Sequence, residues 1–168
     1  ELHGKYADTQ VAPTFRPDKI YNFDDAYISQ LAKAAGMEIV TLDDLQEALT
    51  KRLDFFVSKG CRISDHGFAA FPKDYADYEE AKALFTDRKN LTAEQKDKLF
   101  GYILLWLTGK YHERNMVMQI HFAVVRNNNP QMFEKCGVDS GFDLIAKEQD
   151  IGDLIRFLAK TPDEKRPE

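Results

Sequence analysis

Two helical patterns in this chain each run straight into a short apolar segment, and that pairing constrains the fold more than any other feature. Thr41 is placed as an N-cap, and Leu42, Leu45, Leu49, Leu53 and Phe56 follow at three- and four-residue spacing. Gly60 closes the pattern as the residue after the C-cap, and Cys61-Arg-Ile-Ser64 follows at once as a short buried strand. Thr92-Ala-Glu-Gln95 is a capping box, in which Gln95 reaches back to the N-cap amide. The helix it opens carries Leu99, Phe100, Ile103, Leu104 and Leu107 and is expected to reach about Arg114, before Val117-Met-Gln-Ile-His-Phe122 begins a strand. Residues 9–15 read as an earlier strand, although Pro13 is unusual inside one.

The remaining segments fit the same scheme. Residues 24–35 and 74–86 read as helices. Asn129-Pro130 supplies the N-cap and first turn of a short helix closed by Gly137. Asp150 caps a last helix that should turn Ile151, Leu154, Ile155 and Leu158 inward. Strands alternating with helices give an α/β fold with about three parallel strands and long helical insertions. So few parallel strands make a poor finished sheet. The expectation is therefore a section of a larger protein such as a barrel, with residues 1–168 forming part of one domain. A start at Glu1 and a charged tail from Thr161 agree with that expectation.

Composition narrows the function. The formal net charge of −5 argues against a partner that is nucleic acid, which would need a basic face. The apolar run from Tyr102 to Leu107 is too short to span a bilayer, so no membrane partner is expected. Two cysteines, Cys61 and Cys136, form no disulfide framework, which fits a reduced cytoplasmic chain without a signal peptide.

In parallel α/β folds, ligands bind beyond the carboxyl ends of the strands. Three strand ends are polar here. Arg16, held in line by Pro17, suits a bidentate carboxylate clamp, or else pairs with Asp18 in a turn. Asp65 and His66 suit acid–base work, or else form a cap and a turn before Gly67. His121 should share a face with Val117 and Gln119 and stand at the mouth, with Arg126 and Asn127 to Asn129 on the loop above; otherwise it is a core histidine. Lys110-Tyr-His-Glu-Arg114 reads as a solvated last turn, and Tyr21 to Asp25 as either a loop near the site or a helix start. His121 is the best metal-ligand candidate, with His66 or Asp65 in support, but a catalytic zinc usually needs three protein ligands and no HxH or HExxH occurs.

Phe15-Arg-Pro-Asp-Lys19, Lys51-Arg-Leu-Asp-Phe55, Gly60-Cys-Arg-Ile-Ser-Asp-His-Gly67, Val117-Met-Gln-Ile-His121, Arg126-Asn-Asn-Asn129 and Asp139-Ser-Gly-Phe-Asp143 together resemble the uronate isomerase family, over nearly the whole chain. The resemblance implies a distorted (β/α)8 barrel of the amidohydrolase superfamily. It implies interconversion of D-glucuronate with D-fructuronate, and of D-galacturonate with D-tagaturonate, in the bacterial cytoplasm. It also implies a divalent metal, zinc being the expected one, in the full-length enzyme. By the same resemblance Arg16 and Arg126 bind the hexuronate, Asp65, His66 and His121 are catalytic, and His121 lies at or beside the metal. The family's N-terminal HxH and its late metal-binding aspartate are not in this sequence. The chain thus resembles the middle section of the enzyme, expected to be inactive alone and to bind no metal by itself. A homo-oligomer of the full enzyme stays open. Alternatives are a piece of a metal-dependent hydrolase on the same barrel, or a non-catalytic α/β binding module.

Overall fold

A computed structural model describes residues 11–145 and 151–167. In chain order the elements are α1 (Asp25–Ala35), α2 (Leu42–Ser58), β1 (Ile63–Phe68), α3 (Tyr78–Thr86), α4 (Ala93–His112), β2 (Val117–Phe122), β3 (Val124–Val125), α5 (Pro130–Cys136), β4 (Leu144–Ile145) and α6 (Ile151–Lys160). Short 3₁₀ turns lie at Asp18–Asn22 and Asp163–Lys165. Among the described residues no helix is long and apolar enough to cross a membrane.

Both main helices start and stop by the same devices. Thr41 Oγ1 accepts from Asp44 N at 3.2 Å while Asp44 Oδ2 accepts from Thr41 N at 2.8 Å. Thr92 and Gln95 repeat that reciprocal pair at 3.2 and 2.9 Å. Each box satisfies amides that the first turn leaves without helical partners. At the far ends, Gly60 N donates to Val57 O and Cys61 N to Phe56 O. Asn115 N likewise donates to His112 O and Met116 N to Tyr111 O. These are the paired bonds of a Schellman turn, which needs one residue of positive φ. Gly60 has φ 90° and Asn115 φ 50°. The residue after each, Cys61 and Met116, is fully buried and carries the chain into β1 or β2.

β1 and β2 pair in parallel, with Asp65 opposite Gln119 and Gly67 opposite His121. On the other side of β1, Phe15 forms a single parallel bridge to Ser64, through Phe15 N to Ile63 O and Asp65 N to Phe15 O. Three parallel positions therefore lie side by side in chain order. One face of this ribbon, with Phe15, Ser64 and His66, is buried against the helices. Leu42, Leu45, Leu49 and Leu53 of α2 pack there with Leu99, Ile103, Leu107 and Tyr111 of α4. Each fully buried leucine contributes roughly 1.5–3 kcal/mol of transfer free energy, which is why the helices stay on this face. The opposite face presents Ile63, Asp65, Gly67, Val117, Gln119 and His121, none of them buried.

The structure corrects four expectations. The first strand is reduced to the Phe15 bridge; residues 11–14 are not strand, and Thr9 and Gln10 lie outside the described residues. The second strand is Ile63–Phe68, so Asp65, His66 and Gly67 are within it rather than in a turn beyond it. α3 starts at Tyr78, later than 74, because Asp77 caps it through Glu80 N. Of its expected inward row, α6 packs Leu154, partly buried, against Phe71, Leu104 and Phe157, and turns the rest outward. Ile151, Ile155 and Leu158 are 50%, 62% and 45% exposed, while Phe157 is 3% exposed and stacks 5.4 Å from Phe71. Phe157 fills the contact with Phe71 beside Leu154, and the other aliphatic side chains face out. Asp150, the expected cap, lies outside the described residues.

Candidate functional site

The polar site grows from Gly67. Parallel pairing sets Gly67 beside His121, and the preceding bridge brings Arg16 over the same spot. A Cβ on Gly67 would stand 2.3 Å from His121 Cε1, 2.6 Å from Arg16 Nη2 and 2.8 Å from His121 Nε2. No side chain fits there unless Arg16 and His121 retreat, so glycine lets a guanidinium and an imidazole close over the strand. A cleft of about 230 Å³ opens at this point, lined by Gly67, Phe68, Ala69, His121, Val124 and Arg126.

Two carboxylates hold Arg16. Its Nε donates to Asp18 Oδ2 at 2.8 Å, and its Nη1 lies 3.0 Å from Asp65 Oδ2. Asp65 Oδ1 also meets His121 Nε2 at 3.2 Å and accepts from Gln119 Nε2 at 3.4 Å. Asp65 therefore ties Arg16 and His121 into one constellation. The Asp18 hydrogen bond, partly offset by burial, raises the Arg16 pKa further above its ordinary value. Burial works to raise the Asp18 carboxyl, but the nearby His66 ring, the Gly67 amide at 2.8 Å and Arg16 outweigh it and leave the pKa lowered.

His66 sits elsewhere. It is fully buried on the helix-packed face, behind the strand from the cleft. Its Nε2 is 3.0 Å from the Tyr111 hydroxyl and its Nδ1 3.0 Å from the Tyr21 hydroxyl. Nδ1 also lies 3.3 Å from Asp18 Oδ1, a buried oxygen with no aligned hydrogen bond. We read that last contact as chiefly electrostatic. The expectation that Asp65 and His66 follow the strand together, as acid–base groups or in a turn, is thus corrected in its placement of His66: alternate residues of a strand face opposite ways. Tyr111 is corrected with it. It is fully buried rather than part of a solvated turn, and burial holds its hydroxyl, like that of Tyr21, well above the usual pKa.

Arg126 reaches the cleft from the loop after β3. Ala123, with φ 63°, turns the chain out of the strand, and its N donates to Ala69 O. Arg126 Nη1 then donates to Asp143 Oδ2 at 2.8 Å, and Asp143 Oδ1 accepts from Asn127 N at 3.2 Å. Asn129 is a helix cap, its Oδ1 accepting from Met132 N at 3.1 Å. Arg16, Asp65 and His121 therefore cluster, Arg126 faces the same cleft, and His66 connects only through Asp18. Asp18, Gly67, Gln119, Tyr21 and Tyr111 were not expected as site residues. Asp18 was legible as a partner of Arg16, and Tyr21 as part of a loop near the site.

Among the described residues no three His, Cys, Asp or Glu side chains group to hold a metal ion. His121 and Asp65 supply two donors at most and are already engaged with each other. The residues present do not by themselves fit a catalytic metal, which takes three protein ligands.

The pattern that describes the glucuronate isomerase family matches residues 2–166. The chain belongs to this family. Uronate isomerases from Brachyspira hyodysenteriae and Caldanaerobacter subterraneus are 39% and 42% identical over 160 and 163 residues. These alignments take in 91% and 90% of the chain but 34% of each relative, so the chain spans about a third of the length of the relatives it matches. The crystal structure of a Thermotoga maritima uronate isomerase superposes with a TM-score of 0.83 at 25% identity, over 94% of this chain and 37% of that one. Glucuronate isomerase from Caulobacter crescentus gives 0.77 at 25% identity, over 90% and 33%. As a member of the glucuronate isomerase family, the chain has an α/β fold shared with solved isomerases.

Proposed function

We propose that residues 1–168 are a section of the barrel domain of a uronate isomerase, and that they supply part of its active site. The full enzyme would convert D-glucuronate to D-fructuronate and D-galacturonate to D-tagaturonate in the cytoplasm. The carrying observation is the convergence of Arg16 and His121 over Gly67, at the wall of a cleft shared with Arg126. Two features support a barrel section. Three parallel positions adjoin in chain order, as consecutive barrel strands do. The exposed row of Ile151, Ile155 and Leu158 also offers apolar surface for further barrel elements to cover.

Aldose–ketose isomerisation moves a proton between C2 and C1 through an enediol. It needs a proton acceptor, a cation beside the oxygen that gains charge, and a clamp for the carboxylate. Arg16 leaves Nη2 over Gly67 after Asp18 and Asp65 have taken Nε and Nη1. That nitrogen and the Arg126 guanidinium suit the carboxylate and the developing oxyanion. When Nε2 of His121 donates to Asp65, Nδ1 keeps a lone pair for a substrate proton. His121 is also the candidate ligand for a divalent metal such as zinc, whose other ligands would come from outside these residues.

The test is a coupled reduction assay on glucuronate with the full-length enzyme and with this chain alone. The full-length protein should turn over and the chain should not, even with zinc or manganese added. Robust turnover by the chain alone would refute the partial-site reading.

A further inference from the structure

Behind the cleft lies a buried polar cluster that the proposed chemistry does not use. His66 is completely enclosed, with Tyr111 on Nε2 and Tyr21 on Nδ1, each at 3.0 Å. Beyond Nδ1, 3.3 Å away, is Asp18 Oδ1. The other oxygen of that carboxylate holds both Arg16 Nε and the Gly67 amide, each at 2.8 Å. One carboxylate therefore joins the buried cluster to the residue at the cleft and to the strand beneath it.

Hydrogen accounting selects a tautomer for His66. Asp18 Oδ1 is buried and has no aligned donor, so the charge facing it decides. A buried carboxylate oxygen without a donor is costly. A proton on Nδ1 is donated to the Tyr21 oxygen and sets positive charge beside Asp18 Oδ1, 3.3 Å from Nδ1, while Nε2 accepts from the Tyr111 hydroxyl. The opposite tautomer would set a bare nitrogen lone pair against the carboxylate. The tyrosines thus do more than fill space: they fix which face of the imidazole meets Asp18.

We infer that His66 is a positioning residue, which holds the Asp18 carboxylate in the orientation that aims Arg16 over Gly67. It rests on the reading of Arg16 as a uronate-binding cation. His66 touches no substrate in this arrangement. It acts through Asp18, and Tyr111 and Tyr21 hold its ring.

The two amide substitutes for histidine separate this role from simple packing. The asparagine amide nitrogen lies one bond beyond Cγ, where Nδ1 lies, whereas the glutamine amide extends towards Nε2. His66→Asn keeps a donor for Asp18 and loses the Tyr111 contact; His66→Gln does the reverse. The readout is the ratio of dissociation constants for D-glucuronate and its neutral amide, D-glucuronamide, in the full-length enzyme carrying these residues. General destabilisation of the fold would weaken both ligands and leave the ratio unmoved. Arg16→Ala should collapse the preference for the charged sugar by about tenfold or more, the scale of a lost charge-assisted hydrogen bond. His66→Gln should lose a comparable share, and His66→Asn should retain most of it. If His66→Gln proves insoluble, Tyr111→Phe decides, because it removes one hydroxyl from the chain of bonds and should lower the ratio by about threefold or more. A normal ratio in His66→Gln, or in Tyr111→Phe where that stands in, together with a collapsed ratio in Arg16→Ala, overturns the positioning role and leaves the substrate role of Arg16 standing. A normal ratio in Arg16→Ala overturns that substrate role and the positioning role with it.

Discussion

Replacing Gly67 by alanine separates stability from function at the centre of the site. Its backbone lies outside the left-handed region, so alanine meets no conformational penalty there. In a strand, alanine is favoured over glycine by roughly 0.5–1 kcal/mol. The atoms a Cβ would strike are side-chain ends, His121 Cε1 at 2.3 Å and Arg16 Nη2 at 2.6 Å, rather than backbone. To restore ordinary van der Waals separation the imidazole must retreat by about 1 Å, and the guanidinium by slightly less. That movement strains the Asp65 contacts to both groups, at 3.2 and 3.0 Å. A misplacement of about 1 Å costs on the order of 100-fold in catalysis. The full-length Gly67→Ala enzyme should therefore unfold within about 1 kcal/mol of the parent and lose about 100-fold in kcat/KM for glucuronate. Urea denaturation and the coupled reduction assay measure the two quantities. A folded variant with at least half the parent activity would show that the site does not centre on Gly67.

Other outcomes follow from individual contacts. Arg16→Ala and His121→Ala in the full-length enzyme should each lose at least about 100-fold in activity, the scale of a removed electrostatic donor; near-normal rates in a folded protein would refute those roles. Thr92→Ala should cost about 1 kcal/mol, read from denaturation midpoints, because it breaks one half of the α4 capping box. Asp18, with its folded pKa below the unfolded value of about 3.9, contributes stability present above that value and lost as pH falls through the folded pKa. Asp18→Asn should flatten the acid limb of a stability-against-pH curve, and an unchanged limb would contradict the assignment.

Helix content was legible because its signals are local. Thr41, Thr92 and the Asn129-Pro130 pair each mark a helix start within a few residues, and all three cap as the sequence suggested. β1 was misjudged for a physical reason. Its open face carries the site, so Asp65 and Gly67 alternate with buried Ser64 and His66, and the run loses the apolar look of a parallel strand. The antiparallel pair of β3 and β4 has two residues per strand, too few for any periodicity. The buried role of Tyr111 was hidden because its neighbours Lys110 and Glu113 pair with each other at the surface. The reading of Arg16 as a partner of Asp18 holds through its Nε, and its Nη2 over Gly67 supports the proposed clamp. The inward face of α6 was legible only at Leu154, because hydrophobic periodicity shows which row is apolar but not which surface meets it; Phe157 shares that contact.

The most direct measurement is a crystal structure of the full-length enzyme with a hexuronate bound. The account predicts the sugar in the cleft beside Gly67, its carboxylate or ring oxygens at about 3 Å from Arg16 or Arg126, and His121 facing C1 or C2. A uronate bound at another face, with Arg16, His121 and Arg126 all out of hydrogen-bond reach, would contradict it.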